Sequence, residues 1–402
     1  FKPSVQETLD SVRTLVSSRE YREQAFQLER TEARSLIGLL DEVIVLVPPP
    51  DRLHISIFHA LRTLCFLHGS LPKSCTIQTT ELFKHHRPLR AVGGSAEVFS
   101  AHYKGEMVAI KVFRPPADRS ESLRKEAIVW KHISHPNIVP FIGIDCSENS
   151  LGIVSTWMEH GTIMTFLKRD PYANRVKLLS DVAKGLQYLH LQGILHGDIK
   201  GTNILIDGQR RARLCDFGMA AVLYDPDTVH PMWTRSRPVG SIRWTAPEIV
   251  APEYFGLDTT AVSSASPKSD VYSFAMTMWE VFTEKIPFQD HARDATVIWT
   301  AVNQQRRPLR DPASHWRGLS DNIWELIDRC WNHDPAQRPF IDEVLQSLNA
   351  ELHRSQVRIT SVRTTNGREA PPWSSRSIST IEIRGLTLLR VREINIHGYL
   401  SP

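Results

Sequence analysis

Apolar residues recur at helical spacing from the first turns of the chain. Val5, Leu9, Val12 and Val16 fall every three or four positions, and Leu36, Leu40, Val43 and Val47 do so again, with charges between them. Each set predicts an amphipathic helix. Pro48-Pro49-Pro50 ends the second, because proline lacks the N–H that a helix needs. A third helix is predicted from about Leu53 to His68, with Ile57, Leu61 and Leu64 on one face and Gly69 closing it. His54, His59 and His68 are dispersed and form no catalytic constellation. Residues 1–86 therefore read as a helical extension, packed on the rest of the chain or serving a regulatory partner.

From Leu89 the pattern changes to strands. Val108-Ala109-Ile110-Lys111 follows a turn at Lys104-Gly105, and residues 151–158 form a second strand of the buried type. Between them, residues 120–132 predict a helix with Leu123 and Ile128 apolar. Gly161 opens the next helix, and residues 176–191 form a long one, with Val182, Leu186 and Leu189 on one face and Gly193 at its end. Ile204-Leu205-Ile206 and Leu214-Cys215 read as short strands around a turn at Gly208. Residues 258–268, rich in Ser, Thr and Ala, read as a surface insertion. Residues 269–274 begin a further helix, and a last one covers about 341–352. From His353 the composition shifts to Ser, Thr and Arg, with Pro371-Pro372 interrupting. Residues 353–402 are expected to be a poorly ordered tail in which Ile381 and Ile383 alternate like a strand.

The 402 residues suffice for a two-lobed domain with extra segments. A hydrophobic share of 41% and a charged share of 23% suit a globular protein. The net charge of +4 makes no case for nucleic acid. Five scattered cysteines without a C-x-x-C pair suggest free thiols in a reducing compartment, hence the cytoplasm. No apolar run approaches the roughly 18 residues of a membrane span. The first residue is Phe1, so the sequence is silent on what precedes it.

The chemistry concentrates in residues 195–218. Asp198, Lys200, Asn203 and Asp216 stand at fixed offsets on polar turns between short apolar runs, the setting in which catalytic groups usually sit. Asn203 follows Asp198 by five positions, as in the phosphoryl-transfer pattern H-x-D-x-x-x-x-N. Asp216-Phe217-Gly218 follows. This stretch resembles the catalytic core of eukaryotic protein kinases, and the resemblance covers roughly residues 88–351. Arg243-Trp244 resembles the tyrosine-kinase-like group, and His-Gly-Asp-Ile-Lys-Gly-Thr-Asn looks like kinases expanded in mushroom-forming fungi.

The resemblance implies an α+β, two-lobed protein kinase fold over residues 87–352, with ATP and Mg²⁺ as cofactors and protein substrates. Asp198 would orient the attacking hydroxyl, Asn203 and Asp216 would hold magnesium, and Lys200 would neutralise the transferring phosphoryl group. Lys111 would hold the α- and β-phosphates and pair with Glu126, with Glu121 as the fallback. Val98 and Ala109 would cover adenine, Leu205 would form its floor, and Thr156 to Met158 would form the hinge behind a gatekeeper at Ser155. In the glycine-rich loop, aligned on Val98, Ala91, Gly93 and Ala96 occupy the three glycine positions, with Gly94 beside them; only the middle glycine is kept. Ser241 would bridge Asp198 and Lys200. Asp270 would anchor the catalytic loop, and Arg338 would pair with Glu248. Asp-Ile-Lys with Gly-Ser resembles serine/threonine specificity, with tyrosine or dual specificity open.

Two departures bear on function. Ala91 and Ala96 weaken the glycine loop, and Gly197 stands where most kinases carry the arginine that binds an activation-loop phosphate. They support an alternative reading, an ATP-binding pseudokinase scaffold. Against it, Lys111, Asp198, Asn203 and Asp216 are all present. For an active enzyme, Gly197 implies constitutive competence or control elsewhere, such as through the N-terminal helices. Phosphatase treatment of the loop bearing Thr228, Thr234 and Ser236 is then expected to change turnover by less than about tenfold; a loss of several orders of magnitude in a steady-state assay would refute this.

Overall fold

The computed structural model describes residues 4–49, 51–89, 96–113, 119–147, 150–222, 241–257, 265–365, 380–383 and 386–389. Ala91, Gly93, Gly94, Thr228, Thr234, Ser236 and most of the predicted insertion lie outside them. The chain divides into two compact units, Phe1–Leu352 and His353–Pro402.

The first unit opens with four helices: α1 (Val5–Ser17), α2 (Arg19–Phe26), α3 (Arg30–Ile44) and α4 (Arg52–Leu67). The predicted stripes point inward at Val12, Val16, Leu40, Val43, Val47, Ile57, Leu61 and Leu64, which are buried, whereas Val5 in the first turn of α1 is exposed. Helix α2 escapes the periodicity because it is short and polar and buries only Ala25; Ser18 caps it. Ser4 closes a capping box with Glu7 at the start of α1.

A five-stranded antiparallel sheet follows: β1 (Leu82–Leu89), β2 (Ala96–Tyr103), β3 (Glu106–Phe113), β4 (Phe141–Ser147) and β5 (Ser150–Thr156), in the order β1-β2-β3-β5-β4. Between β3 and β4 runs α5 (Arg119–Lys131). The two-residue period of β3 sends Val108 and Ile110 into the sheet's own core with Ala101 and Val154. Ala109 and Lys111 consequently lie on the other face, in register with Ser155 and Ile153.

The remainder of this unit is mainly helical. It comprises α6 (Ile163–Arg169), α7 (Arg175–Leu191), α8 (Pro247–Val250), α9 (Pro267–Thr283), α10 (Asp294–Ile298) and α11 (Asp321–Cys330), with α12 (Ile341–Thr365) beginning at its end. Every residue from Ser269 to Thr283 on α9 is buried, so this helix is the central post of the lobe. Between α7 and α8 lie the short strands β6 (Ile194–Leu195), β7 (Ile204–Ile206), β8 (Ala212–Leu214) and β9 (Ala221–Val222). β7 pairs with β8 and β6 with β9, both antiparallel. All five cysteines are unpaired.

Helix α12, which the pattern ends near Leu352, continues to Thr365. In the second unit, β10 (Thr380–Ile383) and β11 (Leu386–Leu389) pair as a hairpin, so the alternation at Ile381 and Ile383 does find a partner strand.

One buried ion pair closes the large lobe. Arg338 donates from Nη1 and Nη2 to the two carboxylate oxygens of Glu248, at 2.6 and 2.8 Å. Both residues are 1% exposed. Arg338 Nε also donates to the Asn332 carbonyl at 2.8 Å. Removing one member strands the other charge without water. Glu248→Ala is therefore expected to cost about 3–5 kcal/mol, and Glu248→Leu with Arg338→Met less than the sum of the single changes; denaturant midpoints test this.

Candidate active site

Three elements distant in sequence converge on one ammonium group. Lys111 Nζ lies 2.9 and 3.0 Å from the Glu126 oxygens on α5 and 2.8 Å from Asp216 Oδ1. Glu126 is 1% exposed. It is therefore Glu126 that meets the lysine. Burial pushes the Lys111 ammonium down, but the charges of Glu126 and Asp216 outweigh it and hold the group above the usual lysine range. Burial pushes the Glu126 carboxyl up, with Lys111 pulling the other way. Burial also raises Asp216, yet Lys111, by charge and hydrogen bond, holds this carboxyl below its ordinary range. Asp216 sits at φ +68°, left-handed for a residue with a side chain. Such strain persists where the surroundings over-determine it, commonly at functional sites.

A second cluster lies on the loop before β7. Lys200 Nζ donates to Asp198 Oδ2 at 2.7 Å and to Ser241 Oγ at 2.7 Å. Asn203 Nδ2 donates to Asp198 Oδ2 at 2.9 Å and to the Asp198 carbonyl at 2.8 Å. Lys200 is thus the bridge between Asp198 and Ser241, a role the sequence suggested for the Ser241 hydroxyl. The remaining carboxylate oxygen, Asp198 Oδ1, is buried with no hydrogen-bond partner among the described residues. A buried acceptor without a donor is costly, so this is the Asp198 oxygen left to take a further hydrogen bond.

The loop is held from below by α9. Asp270 accepts from the backbone N–H of His196 and of Gly197, both at 2.9 Å, and stands 3.0 Å from His190 Nε2. Thr277 Oγ1 donates to the Ile199 carbonyl at 3.1 Å. Glu280 Oε2 accepts from the Gly201 N–H and from Trp244 Nε1, both at 2.9 Å. Glu280 escaped sequence reasoning, although a carboxylate within the buried apolar run of α9 was a readable signal. A Cβ added at Gly201 would lie 2.8 Å from its Oε1, so only glycine lets the loop approach. The Phe217 ring is 1% exposed, with Trp130 of α5 at 5.5 Å and His196 at 5.3 Å between ring centroids, linking helix and loop.

The predicted nucleotide-contacting residues among those described occupy β2, β3, the end of β5 with the segment after it, and β7. Val98 registers with Lys111, and Ala109 with Ser155. Met158 accepts from the Gly161 N–H. Leu205 of β7 bridges to Thr162, and the neighbouring Ile206 N–H donates to the Gly161 carbonyl at 2.9 Å, seating Leu205 beside the hinge segment. Thr156 donates its N–H to the Pro140 carbonyl at 3.1 Å. Asn203 Oδ1 and the Asp216 carboxylate offer the hard oxygen donors that magnesium takes. Among the described residues no cluster of three or more His, Cys, Asp or Glu is placed to hold a metal unaided. This donor set fits a cation that draws its other ligands from phosphate and water.

Residues 90–348 match the family model described as protein tyrosine and serine/threonine kinase. The chain is 30% identical over 266 residues to the serine/threonine-protein kinase STY17 of Arabidopsis thaliana, covering 64% of this chain and 43% of that protein. It is 29% identical over 274 residues to the serine/threonine/tyrosine-protein kinase HT1 of Arabidopsis thaliana, covering 64% of each. To the probable serine/threonine-protein kinase drkC of Dictyostelium discoideum it is 32% identical over 270 residues, 64% of this chain and 33% of that one. The chain thus spans less than two thirds of the length of each of these relatives.

Burial pushes the Glu280 carboxyl from 4.5 up to about 7, while the Gly201 and Trp244 hydrogen bonds pull it down. Between those values the folded chain binds more protons at this group than the unfolded chain, so stability falls as pH rises through the window. Glu280→Gln keeps an oxygen for both donors but cannot ionise. Its melting temperature relative to the parent is expected to rise between about pH 5 and about pH 8; a constant difference in thermal melts would count against the assignment.

Proposed function

The chain belongs to the protein tyrosine and serine/threonine kinase family, and on that footing we propose that it transfers the γ-phosphoryl group of ATP, with Mg²⁺, to serine and threonine hydroxyls of protein substrates in signalling. The observation that carries this reading is the simultaneous assembly of both clusters. Lys111 is ion-paired to Glu126 and Asp216, while Asp198, Lys200 and Asn203 are already hydrogen-bonded together.

Bound MgATP would supply the phosphoryl group and the divalent charge that neutralises it. The chain's own groups do the positioning. Lys111, held charged by two carboxylates, presents a cation to the phosphates. Asn203 and Asp216 would hold the metal, and Asp198 Oδ1, which has no partner among the described residues, would accept the hydrogen bond of the attacking hydroxyl and orient it. Lys200, already donating to Asp198, places positive charge where the transferring group develops negative charge. Val98, Ala109 and Leu205 would pack the adenine, with Thr156 to Met158 at its edge and the glycine loop, Gly93 and Gly94 included, over the phosphates.

The serine/threonine names of the relatives support that specificity, and the serine/threonine/tyrosine name of one keeps dual specificity open. Arg243-Trp244 supports a place in the tyrosine-kinase-like group, and the His196-Gly197-Asp198 wording a place near the kinases expanded in mushroom-forming fungi. Unpaired thiols fit action in the cytoplasm. Among the described residues no helix is long and apolar enough to cross a membrane.

Gly197 and the altered glycine loop favour a second reading, the ATP-binding scaffold. A transfer assay with labelled ATP and magnesium on a generic serine/threonine substrate separates the two. The intact chain is expected to phosphorylate, and Asp198→Ala to lose at least about a hundredfold of that rate, the range of a lost acid–base or orienting group. Measurable nucleotide binding with no transfer by either protein would select the scaffold.

A further inference from the structure

The N-terminal helices pack directly on the two elements that carry the site's carboxylates. Helix α4 lies along α5, with the Phe58 ring edge-on to His132 at 5.8 Å between centroids. At the C-terminal end of α5, one turn beyond Glu126, Asp41 of α3 takes the Lys131 ammonium at 2.5 Å. The same carboxylate accepts from Ser74 Oγ at 2.5 Å and stands 3.2 Å from His132 Nε2. Burial works against the Asp41 charge, yet His132, Lys131 and Ser74 hold the carboxyl well below its usual range. Asp41 and Lys131 are only 8% and 17% exposed at the side chain, so water screens this pair little.

The second contact is longer in sequence. Arg62 of α4, 6% exposed, reaches across 158 positions and donates from Nη2 to the Ala220 carbonyl at 2.6 Å. Ala220 lies two residues after Gly218, immediately before β9. The loop bearing Gly197 presses against the same segment. Gly197 has φ +76°, and a Cβ there would stand 2.7 Å from the Met219 carbonyl oxygen. An arginine at 197 would meet both the strained backbone and that clash. The Ala220 carbonyl thus takes its cationic donor from α4.

We infer that Arg62 is a positioning residue, and that the N-terminal helices are a built-in activator. Together they hold α5 and the 216–220 segment so that Glu126 and Asp216 both reach Lys111 without a loop phosphate. The inference rests on the kinase reading above and adds the source of its regulation. Holding one arrangement favours catalysis only as far as the contacts discriminate between arrangements. The two polar contacts do so: each is lost if α5 swings outward or the Ala220 carbonyl turns away.

The test uses the full chain with Arg62→Met, Arg62→Lys and Asp41→Asn. Each is checked for folding by circular dichroism and thermal melting, then assayed for kcat and for KM of ATP. Arg62→Met and Asp41→Asn are expected to fold and to lose about tenfold or more in kcat, with KM for ATP little changed. Arg62→Lys, which keeps a cation, is expected to recover part of the loss. A merely structural arginine would lower the melting temperature and leave kcat per folded molecule unchanged, and that result with an active parent overturns the inference alone. An inert parent overturns the kinase reading and this inference together. If Arg62→Met does not fold, Asp41→Asn decides: a drop in kcat supports the inference and an unchanged kcat refutes it.

Discussion

An ammonium largely shielded from water is best neutralised where it stands. Lys111 meets that demand with carboxylates from two places, Glu126 on α5 and Asp216 on the loop after β8. Glu126 is buried outright, so leaving it unpaired would cost about 3–5 kcal/mol, whereas water partly screens the more exposed Asp216. The lysine thereby joins sheet, helix and loop into one geometry. The Phe217 ring, wedged between Trp130 and His196, gives the same junction an apolar seal.

Below this junction the catalytic loop has little regular structure of its own, so its shape comes from α9. Asp270, Thr277 and Glu280 stand at intervals of seven and three on that helix, and each takes or gives a hydrogen bond to the loop backbone. The buried run of α9 accommodates these polar side chains because each is satisfied by backbone that would otherwise be orphaned. The Asp198 carboxylate is then positioned by a scaffold that holds it from behind, leaving one oxygen without a hydrogen-bond partner among the described residues. Above the junction, α3 and α4 brace α5 in turn, through Asp41 and the Phe58–His132 contact.

Much of this was legible in the chain. The helical stripes of α1, α3 and α4 and the alternation of β3 follow from spacing alone, because periods of 3.6 and 2 decide which residues share a face. The short polar α2 and the continuation of α12 to Thr365 were not legible, because neither carries an apolar stripe that stands out from its neighbours. Of the site, Lys111, Asp198, Lys200, Asn203 and Asp216 could be named from offsets and residue type, and Glu126 could be preferred over Glu121. Glu280 stood out only as a carboxylate in the apolar run of α9; its partners Gly201 and Trp244, 79 and 36 positions away, were not legible.

The sequence by itself determined the local elements and the chemical inventory: which positions face inward, and which carboxylates, lysines and amides are available at the loop. Those depend on periodicity and residue type over a few turns of chain. Only the tertiary structure decided how the inventory is joined: that Lys200 rather than Ser241 bridges the loop, that Gly197 presses on Met219, and that Arg62 reaches Ala220. These are contacts between residues up to 158 positions apart. No local pattern encodes them, because they exist only once the burial of separate hydrophobic faces has brought the elements together.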